Sequence, residues 1–285
     1  MLDDEVRAIK SSDQFDRCSR SFASDLSDRW SRARNRRGVF DERARLAVLA
    51  FSIALGSKRD PKTGEIGFSV NAFKKLIADT GIMSRGRAGA LLGYLRLIGF
   101  LKSDTDAQAG KRLVLKSTND LIGYAATGWR TSYRNAAELL PEHQRLVEPL
   151  AADEQVVEFI LFFVSRYVEG WRPFKDLSAL NLFWKMRGGL PVVLRIHALH
   201  PTEALSASDL SKRFSIPRTQ VNTIVRKGMR SGYLKKDKDQ LLLGEELQAE
   251  LDTGIALFFA MILLAAHGDI NLSGPSISDI QPKMH

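Results

Sequence analysis

One pattern, written twice, constrains this chain more than any other feature. In the second half, residues 208–214 read as a short helix, Ser215-Ile216 as a turn, and Pro217 stands where another helix begins. That helix, 218–231, carries Val221, Ile224, Val225 and Gly228 as its inner stripe, the spacing of a helix with one buried face. Gly232-Tyr233-Leu234 follows, then Leu234-Lys235-Lys236, a charged tip at 237–239, and the apolar run 240–243. The first half reads alike. Residues 71–79 present Phe73, Leu76 and Ile77, and residues 84–98 present Ala88, Leu91, Leu92 and Leu95. Gly99-Phe100-Leu101 then opens a hairpin of two short strands, 100–102 and 112–115, around a polar tip at 103–111.

A bare pair of helices needs neither the Gly-aromatic-Leu exit nor the hairpin. A helix-turn-helix followed by a two-stranded wing needs both. The glycine lets the chain leave the helix in a left-handed conformation, and the aromatic and Leu cover the core as the strand starts. The expected fold is therefore mostly α, with tandem winged helix-turn-helix modules, small β-hairpin wings and additional long helices.

Those additional helices are read from the remaining segments. Residues 2–36 are polar and helix-compatible, ending in the basic group Arg29, Arg32, Arg34, Arg36 and Arg37. Asp41 caps an apolar helix over 43–55, and a helix over 119–140 carries Trp129 and Tyr133. Two prolines mark a linker, which divides the chain into 1–140, a linker at 141–153, and 154–285. Helical patterns then run over 156–167, 177–186 and, after Gly188-Gly189, 190–200. The apolar run 254–266 holds about 13 residues against the roughly 20 that cross a bilayer, so it reads as a core or subunit-interface helix, with no membrane span.

Lys and Arg number 42 against 33 Asp and Glu, a formal charge of +9 that favours polyanionic partners. Cys18 is the single cysteine, so no intrachain disulfide forms, as in a reducing, cytoplasmic compartment. The acidic start Met1–Glu5 is no signal peptide. Enzyme chemistry, cofactors and metals are not expected. His143, His197, His200, His267 and His285 are scattered, and the one helical pair, His197 and His200, has no Cys or acidic residue to complete a ligand set.

Double-stranded DNA is the expected partner. At about 100° per residue, the face opposite Val221 and Gly228 holds Thr219, Thr223, Arg226 and Arg230, with Asn222 and Lys227 flanking. These groups suit base edges and phosphates in a major groove. Arg218 is placed to meet a phosphate at the helix start. The corresponding face of the first module holds Gly86, Ala90, Gly93 and Leu97, with Gly89 nearby, and only Arg85, Arg87 and Arg96 to engage DNA. The first module is thus expected to supply phosphate contacts or a protein interface, and the second to read sequence. Lys235, Lys236 and Lys238 on one wing, and Lys111 and Arg112 on the other, suit a backbone or minor-groove role.

Residues 207–243 resemble the winged-helix region of MarR-type bacterial transcription regulators. The resemblance rests on Leu205-Ser-Ala-Ser-Asp-Leu-Ser-Lys-Arg-Phe, Ser215-Ile-Pro-Arg-Thr-Gln-Val and Ser231-Gly-Tyr-Leu. It implies transcription regulation, a dimerisation role for the apolar C-terminal helix, and a small aromatic ligand near Phe159, Phe162, Phe163, Tyr167, Trp171, Phe174, Phe183 and Trp184. Two modules in one chain depart from that family's single module per subunit and suggest a monomeric pseudo-dimer in place of the usual homodimer. Two other function classes fit the same pattern: a plasmid or phage replication initiator, and a winged-helix protein-interaction scaffold.

Overall fold

The computed structural model describes residues 2–32, 43–57, 66–103, 113–139, 153–170, 174–199, 205–238 and 240–266. These form a mostly α chain with two small antiparallel sheets. The described elements gather into two compact units that interleave along the sequence. The expected linker, 141–153, lies outside the described residues apart from the first helical position, Asp153.

One unit contains α1 (Leu2–Ser11), α2 (Phe15–Arg32), α8 (Ser178–Trp184), α9 (Gly189–Leu199), α10 (Ala207–Phe214), α11 (Arg218–Arg230), β4 (Leu234–Asp237), β5 (Gln240–Leu243) and α12 (Glu245–Ala266). It also takes the last turns of α6 (Asn119–Leu139), from Arg130 onward. A cut of the chain at its middle would place α1 and α2 elsewhere. They belong here because the polar stretch they come from conceals an apolar seam: Ile9, Phe15, Cys18, Phe22 and Ala23 are all buried. α2 packs along α9, which is buried from Pro191 to His197, and α1 packs along α12. Phe22 meets Phe258 and Phe259 with ring centroids 5.7 and 5.3 Å apart.

α12 is the one described helix long and apolar enough to cross a membrane, with a mean hydropathy of 1.6 over Glu245–Leu264, yet 67% of that window is buried. Its neighbours α1, α2 and α8 cover it, so it is a core helix of its own chain. Glu250 on α12 also caps α8: its carboxylate accepts from the Leu180 N–H at 2.9 Å and the Ser178 hydroxyl at 3.3 Å.

The other unit contains α3 (Arg43–Ser57), β1 (Phe68–Ser69), α4 (Val70–Asp79), α5 (Arg85–Leu97), β2 (Leu101–Ser103), β3 (Val114–Ser117), the first turns of α6 and α7 (Asp153–Val168). Its sheet has the order β1-β3-β2. The pairs Phe68↔Leu115 and Leu101↔Ser117 set the register. Ser117 ties β3 to α3 by donating to the Ser52 carbonyl at 2.9 Å. Phe73, Leu76 and Ile77 of α4 and Ala88, Leu92 and Leu95 of α5 are buried as their spacing requires, whereas Leu91 is half-buried at the edge of its stripe.

α5 and α11 end identically. Gly99 and Gly232 take φ of +78° and +73°. The next residue then donates back five positions, Phe100 to the Leu95 carbonyl at 2.8 Å and Tyr233 to the Gly228 carbonyl at 2.9 Å. This is the Schellman arrangement, which satisfies carbonyls the helix end would otherwise leave unpaired. The strands start one residue later than the glycine-aromatic exit in each copy, at Leu101 and Leu234.

Candidate nucleic-acid interface

α11 is mounted by a series of local contacts. Ser206 and Asp209 form a capping box at the start of α10, which fixes the helix before the turn. The Ser206 hydroxyl and N–H both donate to the Asp209 carboxylate, which holds its pKa below the usual value. Ser215 turns the chain at φ 47°, and Ser211 braces the turn by donating to the Ile216 carbonyl at 2.7 Å. Ile216 packs against Gly188, where a Cβ would press on the end of the Ile216 side chain, and Gln220 donates to the Arg187 carbonyl at 3.2 Å. Below the helix, a Cβ on Gly228 would lie 2.7 Å from Leu234 and 2.9 Å from the Phe183 ring.

Val221, Ile224 and Gly228 face inward and are buried. Val225, expected beside them, is only half-buried, because it sits at the edge of the stripe. Outward, Arg218, Thr219, Asn222, Arg226, Lys227 and Arg230 are exposed, and Thr223 is half-buried. An open depression runs over Thr219, Asn222, Thr223, Val225, Arg226, Met229 and Arg230. Among the described residues, no hydrogen bond or ion pair occupies the side chains of Arg218, Asn222, Arg226, Lys227 or Arg230. The Thr223 hydroxyl donates to the Thr219 carbonyl at 2.8 Å.

Beside α11, β4 and β5 pair from Leu234↔Leu243 to Asp237↔Gln240. Lys235, Lys236 and Lys238 are exposed, and Lys238 takes φ 52° in the tip turn. Lys235 pairs with Glu245 at 3.2 Å. Both partners are largely exposed, so the pair is weak and open to competition by a phosphate.

The cations of α5 are placed differently. Arg85 and Arg87 are exposed in the first turn of α5, where Ser84 caps the helix. Arg96 donates to the Ser103 hydroxyl at 3.0 Å and so is tied to β2. The outward face is smooth: at Gly86 and Gly93 a Cβ would meet nothing within 4 Å, and Leu97 is 83% exposed. Lys111 and Arg112 lie outside the described residues, as do Arg34, Arg36 and Arg37.

One anchoring cluster carries no signal in the sequence. Asp28 of α2 accepts from Arg213 of α10 and stands 3.5 Å from Arg195 of α9. It fixes the helix preceding the turn to the body of the unit. His197 is equally internal. It is 1% exposed, bonded to Ser19 at 2.8 Å through Nε2 and set against Gln248 through Nδ1. Burial pushes its pKa down, only partly opposed by Asp252 and Gln248. Its neighbour in sequence, His200, lies outside the described residues. Cys18 is fully buried, and burial raises its thiol pKa.

The aromatics that crowd the sequence between 159 and 184 are shared between the two units. Phe159 meets Trp129 at 4.7 Å and Tyr167 meets Phe51 at 6.2 Å in one. Phe174 meets Trp184 at 5.3 Å and Phe183 meets Tyr233 at 6.5 Å in the other. Trp171 lies outside the described residues. A second open depression, over Leu243, Glu245, Gln248, Ala249 and Asp252, includes none of these rings.

Compared with protein-family models, curated proteins and solved structures, the chain matches none.

Proposed function

We propose that the chain is a DNA-binding transcription regulator with two winged-helix modules, α4–α5–β2–β3 and α10–α11–β4–β5, of which the second reads sequence. The observation that carries this reading is the outward face of α11. Arg226 and Arg230 share it with Thr219, Asn222 and Thr223, and no described carboxylate neutralises either arginine. A solvated structural helix gains nothing from gathering such cations on one face. A helix lying against phosphates and guanine edges gains charge-assisted hydrogen bonds. The wing lysines extend the same chemistry to the backbone. The burial of α12 by α1, α2 and α8 favours a chain that works as its own pseudo-dimer over a homodimer formed through that helix.

Leu97, 83% exposed on a face of glycine and alanine, favours a second reading for the first module alone, in which α5 is a protein-interaction surface.

The two roles separate by fluorescence anisotropy on a labelled duplex. R226A/R230A is expected to weaken binding at least about tenfold, the value of roughly 1.4 kcal/mol. R85A/R87A weakens it less, and equally on all sequences. Unchanged duplex binding by R226A/R230A overturns the proposal.

A further inference from the structure

We infer that α11 recognises a guanine flanked on both sides by base pairs that carry thymine methyl groups, with Arg226 on the guanine and Thr223 and Met229 on the methyls; this rests on the reading of α11 as a groove-entering helix. Three observations lead there. Met229 is 44% exposed, a large apolar side chain among the polar and cationic groups that α11 otherwise turns outward. The Thr223 hydroxyl has its only proton committed to the Thr219 carbonyl at 2.8 Å. It has no proton left to donate to a phosphate or a base acceptor; its lone pairs can accept from an adenine or cytosine amino group, and against a thymine, which shows only an acceptor and a methyl, it offers its own methyl. Both residues line the same open depression as Arg226.

The spacing fits a base ladder. Residues 223, 226 and 229 are three apart, so each lies about 4.5 Å further along the helix than the last, little more than one base step of about 3.4 Å. They form one diagonal row with the arginine in the middle. Arg reaches guanine O6 and N7 together, and an apolar group meets the thymine C5-methyl. Arg218 and Lys227, nine residues apart, fall about 180° from each other around the helix at roughly 100° per residue. They flank the row on opposite sides, where the two phosphate backbones bound a major groove.

The test is selection from a duplex pool with a randomised core, followed by affinity measurement on the winning duplex. The wild-type chain is expected to select a guanine between two thymine-bearing pairs. R226A loses the guanine, at roughly 5- to 140-fold in affinity. Replacing a contacted thymine by deoxyuridine removes only its methyl and weakens wild-type binding about fourfold. T223V keeps that dependence at its own position, whereas T223S and M229Q each abolish it at theirs. R218A and K227A weaken all duplexes alike. A chain that binds duplex but selects no guanine, or a methyl dependence that survives both T223S and M229Q, overturns this assignment and leaves DNA binding standing. A wild-type chain that binds no duplex overturns both.

Discussion

Phe183 of α8 lies so close beneath Gly228 of α11 that a Cβ there would stand 2.9 Å from the ring. The outward face of α11 owes its orientation to this inward contact, together with Leu234 at 2.7 Å from the same point. Gly228→Ala therefore overpacks the seat of the helix, at a cost of about 1–3 kcal/mol. A denaturation midpoint equal to or above that of wild type would show that α11 is not seated on this ring.

Gly99 and Gly232 test the repeat itself. Both take positive φ, and neither would bring a Cβ within 4 Å of another group. Replacement by alanine then costs only the backbone strain of the left-handed conformation, about 1–2 kcal/mol at each. Asparagine, which tolerates that conformation, costs less at both positions. Unequal effects, measured by chemical denaturation, would mean that the two helix exits are not equivalent.

Asp28→Ala removes the carboxylate that stands 3.5 Å from Arg195, whose side chain is only 11% exposed, and that accepts from Arg213. The loss is about 2–3 kcal/mol, below that of a fully buried pair because Arg213 and Asp28 keep some contact with water. Hydrogen exchange of the α10 amides is expected to quicken in this variant, since Arg213 sits on that helix. Exchange unchanged from wild type would contradict the anchoring role.

His197 makes stability depend on pH with a defined sign. Its folded pKa lies below the ordinary 6.5, so the unfolded chain binds the extra proton first. Its contribution is fully present above pH 6.5 and is lost as pH falls from there toward the folded pKa. Thermal unfolding of His197→Gln is expected to show a flatter dependence in that window. An identical slope in the two proteins would place the pH response elsewhere.

Much of this arrangement could be read from local signals. The stripes of α5 and α11 and their glycine exits are set by residues within a few positions of one another, so periodicity and stop signals suffice. Pairings between distant segments left no such trace. β1 has two residues, too few for alternation, and exists because β3 pairs with it at Phe68↔Leu115. α1 and α2 look polar by count, and only their packing against α12 and α9 shows which few apolar side chains matter. Asp28 resembles any solvated carboxylate until Arg195 and Arg213 converge on it. The aromatics between 159 and 184 are neighbours in sequence but serve two separate units, because contiguity along the chain is not contiguity in space.

The salt dependence of duplex binding tests the central claim most directly. If Arg218, Lys227, Lys235, Lys236 and Lys238 meet phosphates, log Kd against log salt on a random duplex has a slope of at least about 4 to 5 in magnitude, about 0.9 per contact, to which Arg85 and Arg87 add. Each single alanine substitution among these five lowers it by about 1. A slope near zero, or one that no substitution in α11 or its hairpin changes, would contradict the account.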